Sequence, residues 1–183
     1  MPRLIAFLRA INVGNRYMKM EELRARFAEL GYARVETFIA SGNVIFDAPA
    51  APAEEVEQAI EAHLQQALGF EVTTFIRTDA EVAAIAAYQP FPAEELALPG
   101  ASLYVTFMKA LPDAATQERV LALRNPVDDF AFHGREFYWL RRTRESESIT
   151  DRPQFAKAFG KDGQGTTRNI TTVRRLAAKY PVK

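Results

Sequence analysis

The stretch Arg3-Leu-Ile-Ala-Phe-Leu-Arg-Ala-Ile11, followed by Asn12-Val-Gly-Asn15, decides how the rest of the chain is read. It is a nearly unbroken apolar run, interrupted by Arg9, and such a run suits a central strand covered on both faces. The turn that follows contains asparagine and glycine, which suits a loop with outward-facing backbone amides. Ile5, Phe7 and Ile11 alternate with Leu4, Leu8 and the alanines, so each face of the sheet needs a cover. The second half of the chain or its last helix is the expected cover for the face that helices of the first half leave bare.

Outward from this strand the periodicity changes. Lys19 to Leu30 places Met20, Leu23, Phe27 and Leu30 on one helical face, and Gly31 follows where a left-handed cap belongs. Arg34 to Ser41 and Asn43 to Asp47 read as a hairpin with a tight turn at Gly42. Pro49 and Pro52 introduce a helix carrying Val56, Ile60, Leu64 and Leu68, closed by Gly69, and Phe70 to Arg77 is a further strand. The order is β-α-β-β-α-β, so the expected fold class is α+β with a ferredoxin-like sheet. In that topology the end of the first strand and the turn between the second and third lie at one edge. Asn12 to Asn15 is thereby placed beside Ser41-Gly42-Asn43.

Asp79 to Tyr88 reads as a short helix, and the proline-rich residues 89–100 as a connector. A second, related βαββ(α) module follows: a strand over Leu103 to Lys109, a helix from Pro112 to Leu123, and a hairpin turning at Gly134-Arg135. Its loop from Lys109 to Pro112 is placed beside that turn. The hairpin concentrates aromatic residues from Phe130 to Trp139, which read as core. Gln154 to Phe159 reads as a short helix. A clear last strand is missing from this module, and a helix over Asn169 to Tyr180 ends the chain. The expected organisation is an N-terminal unit over 1–88, a connector over 89–100 and a second unit over 101–183. The halves share an element order without obvious sequence identity.

The 183 residues suffice for one substantial domain or two small ones. With no cysteine, disulfides, thiolate nucleophiles and cysteine-ligated metals are excluded. Nothing approaches the roughly 18 apolar residues of a membrane span and no signal-peptide pattern appears, so a cytoplasmic location without membrane contact is expected. Formal charge sums to zero, yet residues 141–183 carry 11 Lys and Arg against 4 Asp and Glu. That basic segment either docks on the acidic body or faces an anionic partner.

Three phrases carry a resemblance. Leu8-Arg-Ala-Ile-Asn-Val-Gly14, Thr37-Phe-Ile-Ala-Ser-Gly-Asn-Val-Ile-Phe46, and Thr166-Thr-Arg-Asn169 with Thr172-Val173 together resemble the domain of unknown function 1697 family, over nearly the whole chain. The resemblance implies a bacterial protein of two ferredoxin-like subdomains with no assigned activity. Arg9, Asn12, Gly14, Ser41, Gly42, Asn43, Thr167, Arg168 and Asn169 match the family's pattern. The chain departs from it at Ala10 and Asn15, where the family has glycine, and at Ile170 and Thr171, where it has tryptophan and asparagine.

Chemistry narrows by elimination. His63 and His133 lack metal-ligand spacing, and Glu54-Glu55, Glu94-Glu95 and Asp128-Asp129 read as solvated faces or caps, so neither metal nor other cofactor is expected. No serine stands in a nucleophile elbow and no phosphate-binding glycine loop appears, which leans against an enzyme. Anion recognition survives. Thr166 to Asn169 is expected to cap a helix start, with Arg168 as a fork for phosphate or carboxylate. The favoured expectation is a binding module for a small anionic ligand on Arg9, Asn12, Gly14, Ser41, Gly42, Asn43, Thr167, Arg168 and Asn169. A nucleic acid held by the basic segment is the second reading, and an enzyme of unknown reaction the third. Oligomeric state is left open.

Overall fold

The computed structural model of the chain describes residues 1–11, 17–40 and 42–183. It is a mixed α+β fold with two four-stranded antiparallel sheets and, among the described residues, seven α-helices. The chain divides into two compact units, Met1–Ala86 with Arg174–Lys183, and Ala87–Val173.

In the first unit the elements are β1 (Arg3–Leu8), α1 (Met20–Glu29), β2 (Ala33–Thr37), β3 (Asn43–Asp47), α2 (Ala53–Leu68), β4 (Thr74–Thr78) and α3 (Asp79–Ala87), with strand order β2-β3-β1-β4. Alternation along β1 sets the two faces. Leu4, Ala6 and Leu8 join Leu23 and Phe27 of α1 and Val56, Ile60 and Leu64 of α2 in one apolar cluster. Ile5 and Phe7, with Ile45 and Phe75 opposite them, are buried on the other face. The chain's last residues reach this sheet: Arg3 donates to the Pro181 carbonyl at 2.7 Å, the Tyr180 hydroxyl to Glu36 at 2.6 Å and Lys183 Nζ to Asp47 at 2.8 Å. Lys179 also lies 3.8 Å from Glu36, so two cations of the basic segment meet carboxylates of the acidic body.

Three boundaries differ from expectation. β1 ends at Leu8 rather than Ile11, because Ala10 takes a left-handed φ of 57° that ends the extended run. The β2–β3 connection is not a tight turn but the five residues 38–42: Phe38 N–H donates to the Asn43 carbonyl at 2.9 Å, with Ile39 and Gly42 at φ 52° and 74°. β4 begins at Thr74, after Gly69 has closed α2 at φ 75°.

The second unit contains α4 (Ala93–Leu96), β5 (Ser102–Met108), α5 (Ala114–Leu121), β6 (Asp128–His133), β7 (Glu136–Arg141), α6 (Pro153–Phe159), β8 (Gly165–Asn169) and the start of α7 (Ile170–Lys179), with order β6-β7-β5-β8. The last strand is therefore present. Thr166 to Asn169 forms it rather than capping a helix, as β-branched Thr166 and Thr167 favour extended backbone. Only Asn169 caps, accepting the Thr171 N–H at 2.9 Å. Phe130, Phe132 and Phe137 pack with Phe155 and Phe159 of α6 into an aromatic core. Asp128 is no solvated carboxylate: fully buried, it accepts from Trp139 Nε1 at 2.7 Å, Ser148 Oγ at 2.8 Å and Ile149 N–H at 2.8 Å.

Register makes the two units equivalent. Leu8 N–H donates to the Gly42 carbonyl at 2.8 Å, and Met108 N–H to the Arg135 carbonyl at 3.1 Å. Ile5 opposes Arg77 on β4, and Val105 opposes Arg168 on β8. With these residues matched, Ile-Ala-Phe-Leu-Arg-Ala-Ile over 5–11 lies on Val-Thr-Phe-Met-Lys-Ala-Leu over 105–111. Two positions are identical and the rest mostly conservative, which is why the repeat is faint in sequence.

Candidate functional site

The loops after β1 and β2 meet at one end of the first sheet. Gly42 is the contact: a Cβ there would lie 2.7 Å from Ile11 Cγ2 and 3.2 Å from Leu8 Cβ, at a φ that already favours glycine. Of the three non-glycine residues with positive φ among those described, Ala10 and Ile39 both lie in these loops. An exposed β-branched residue held at φ 52°, as Ile39 is, stores strain. Arg24 reaches from α1 to Thr37 Oγ1 at 2.9 Å and ties the helix to the base of the second loop.

The proposed residues separate here. Arg9 follows β1, its N–H on the Thr73 carbonyl at 2.9 Å; it is half-buried, and among the described residues its guanidinium makes no hydrogen bond or ion pair. Asn43 is buried and gives its amide to the Phe38 carbonyl at 3.0 Å, so it holds the loop closed. Asn12, Gly14 and Ser41 lie outside the described residues. Beside Thr73 is a small depression of about 180 Å³ lined by Glu61, Gln65, Glu71, Val72 and Thr73. Its carboxylates suit hydrogen-bond donors rather than an anion, and its volume falls below the usual range of ligand pockets.

In the second unit Arg168 is buried, and its Nη1 donates to Thr166 Oγ1 at 2.7 Å and to the Thr167 carbonyl at 3.0 Å. Loss of hydration on burial lowers its pKa to about 10. Thr167 points to the opposite face, where its hydroxyl meets that of Thr106 at 2.7 Å. Sequence reasoning missed Arg77, the equivalent of Arg168: it is 1% exposed and its Nη1 donates to the Ile76 carbonyl at 2.8 Å. The signal that could have found it is the shared pattern of a strand, an arginine and a capping residue running directly into a helix.

It also missed a row of carboxylates on the β4 edge. Glu61 and Glu57 of α2 accept the N–H groups of Thr74 and Ile76, and Glu81 accepts that of Thr78, each at 2.8 Å. These are alternate residues, so they are the donors that β4 turns away from β1. Among the described residues no group of His, Asp and Glu is disposed to hold a metal ion. His63 instead pairs with Glu29 at 2.8 Å, and His133 stacks on Tyr88 with centroids 4.1 Å apart. No helix is long and apolar enough to cross a membrane, among the described residues.

The arrangement is that of a small α+β protein whose candidate site lies at a sheet edge. Its fold is similar to the solved structure of conserved bacterial protein SP0830 from Streptococcus pneumoniae, with a TM-score of 0.77 and 23% identity over 97% of each chain. The chain belongs to the family described as protein of unknown function (DUF1697), matched over residues 1–138. That match is shorter than the resemblance implied and leaves Thr166 to Asn169 outside it. No curated protein matches the chain.

Proposed function

We propose that the protein binds a small anionic ligand, carrying phosphate or carboxylate, at the edge where the β1 loop meets the β2–β3 loop. The observation that carries this reading is the half-buried residue Arg9, whose guanidinium no described residue engages, beside two strained loops. A planar fork of donors held at a rigid strand end suits bidentate recognition of an oxyanion. In this reading Asn12, Gly14 and Ser41 complete the edge with Gly42, while Asn43 shapes it. Arg168, Thr167 and Asn169 are engaged within their own unit, so the proposal rests on Arg9. The strand order supports taking each sheet as ferredoxin-like, and a cytoplasmic binding module remains the overall proposal.

Thermal-shift titration with inorganic phosphate, nucleotides, phosphorylated sugars and dicarboxylates tests it. At least one class should raise the Tm of wild type and not of Arg9→Ala, with Arg168→Ala responding like wild type. Identical responses of wild type and Arg9→Ala to every compound would remove the reading. Salt-sensitive retention of single-stranded RNA would favour the nucleic-acid reading instead.

A further inference from the structure

The edge that is sealed in the first unit stands open in the second. Met108 N–H goes to the β7 side, so alternation sends Val105 and Phe107 to β8 and turns Gly165, Thr167 and Asn169 outward. These three correspond to Thr74, Ile76 and Thr78, whose N–H groups Glu61, Glu57 and Glu81 accept. Among the described residues no carboxylate accepts from Gly165, Thr167 or Asn169. The reason is the helix. In the first unit the 16-residue α2 runs along β4, whereas the seven-residue α6 packs its rings on β6 and β7 instead. Thr167 is left exposed, beside half-buried Thr106 and the stacked pair Tyr104–Trp139, whose centroids lie 4.7 Å apart.

We propose that this edge is a docking site for an acidic amphipathic helix of a partner protein, seated on β5 and β8 as α2 is seated on β1 and β4. Its carboxylates, four residues apart, take the outward amides of Gly165 and Thr167. The first unit supplies the argument for that occupant, since the same strand position is there filled by Glu57 and Glu61 of a helix. Charge agrees: the edge offers donors, and the guanidinium of Arg168 already holds the outward carbonyl of Thr167. The aromatic pair gives the helix an apolar footing of the kind enriched at protein interfaces. An open strand edge is otherwise a liability, and this one carries no lysine, proline or bulge to blunt it.

The probe is an acetylated, amidated peptide of residues 53–68, the sequence of α2, titrated into isotope-labelled full-length protein. Shifts are expected at the Gly165, Thr167 and Asn169 amides and the Trp139 indole. A peptide with Gln in place of both Glu57 and Glu61 should bind about tenfold more weakly, because two hydrogen bonds lose their charge assistance while keeping an acceptor. Thr167→Pro, which removes the outward donor, should abolish the shifts, and Thr167→Val, which keeps it, should not. In the free protein the Thr167 amide should exchange much faster than that of Ile76, a measurement that stands even if Thr167→Pro does not fold. A protected Thr167 amide, shifts elsewhere or none, equal binding of the Gln peptide, or pairing of two copies through β8 would each overturn the proposal.

Discussion

Arg77 and Arg168 occupy the same register position in the two sheets, opposite Ile5 and Val105, and each donates to the carbonyl of the residue before it. A feature repeated in both units belongs to the fold before it belongs to a ligand. Arg168 accordingly behaves as a buried charge held at a cost, and that cost is measurable.

Burial lowers the pKa of Arg168 to about 10, well below the ordinary value of an arginine. For a base, a lowered folded-state pKa penalises the charged form, so the penalty is in full force below pH 10 and is progressively relieved as pH rises above it. Between pH 9 and 11 wild type should therefore gain roughly 1 kcal/mol relative to Arg168→Met. Denaturant unfolding of both proteins at the two pH values checks it; a constant difference would contradict it.

Gly42→Ala should cost about 2–4 kcal/mol, from left-handed backbone strain and overlap with Ile11 Cγ2. Ile11→Leu moves the methyl branch away from that contact. The double variant should accordingly be more stable than the sum of the single changes predicts, as a double-mutant cycle would reveal.

Ile39→Gly should raise stability by about 1 kcal/mol, because it relieves φ 52° at an exposed position that has little packing to lose. An unchanged or lower unfolding midpoint would mean that the side chain has a contact worth more than the strain.

Glu57→Ala should destabilise by about 2–3 kcal/mol, since Glu57 is only 3% exposed and its loss orphans the Ile76 N–H. Glu57→Gln keeps an acceptor and should cost less. Amide exchange at Ile76 distinguishes a lost hydrogen bond from general loosening.

Asp113 accepts the Thr116 N–H at 2.7 Å, and this bond holds its pKa below the ordinary aspartate value. The stabilisation is thus complete above the ordinary aspartate pKa and disappears as pH falls through the lowered value. Asp113→Asn, which caps without titrating, should lose less stability than wild type on acidification from pH 5 to 2.5.

Much of the fold is legible in the sequence where period and punctuation agree. The apolar run of β1, the four-residue rhythm of α2 with Gly69 behind it, and the Gly134-Arg135 turn are such places. β8 is not, because Thr-Thr-Arg-Asn carries no apolar alternation and reads equally well as a helix cap. Glu57 and Glu61 look like the solvated face of a helix, since spacing alone cannot distinguish water from the edge of a strand. Of the candidate site, the meeting of the two loops follows from topology. The difference between Arg9, Asn43 and Arg168 does not, because it depends on which polar atoms are already bonded.

Both fourth strands run straight into a helix. Thr78 is followed at once by α3 and Asn169 at once by α7, with no residue between strand and helix. Each corner is locked by a side-chain cap, Thr78 Oγ1 on the Glu81 N–H and Asn169 Oδ1 on the Thr171 N–H. A joint without slack cannot fray one half at a time. Each strand should therefore open together with the first turn of the helix it feeds, as one cooperative piece.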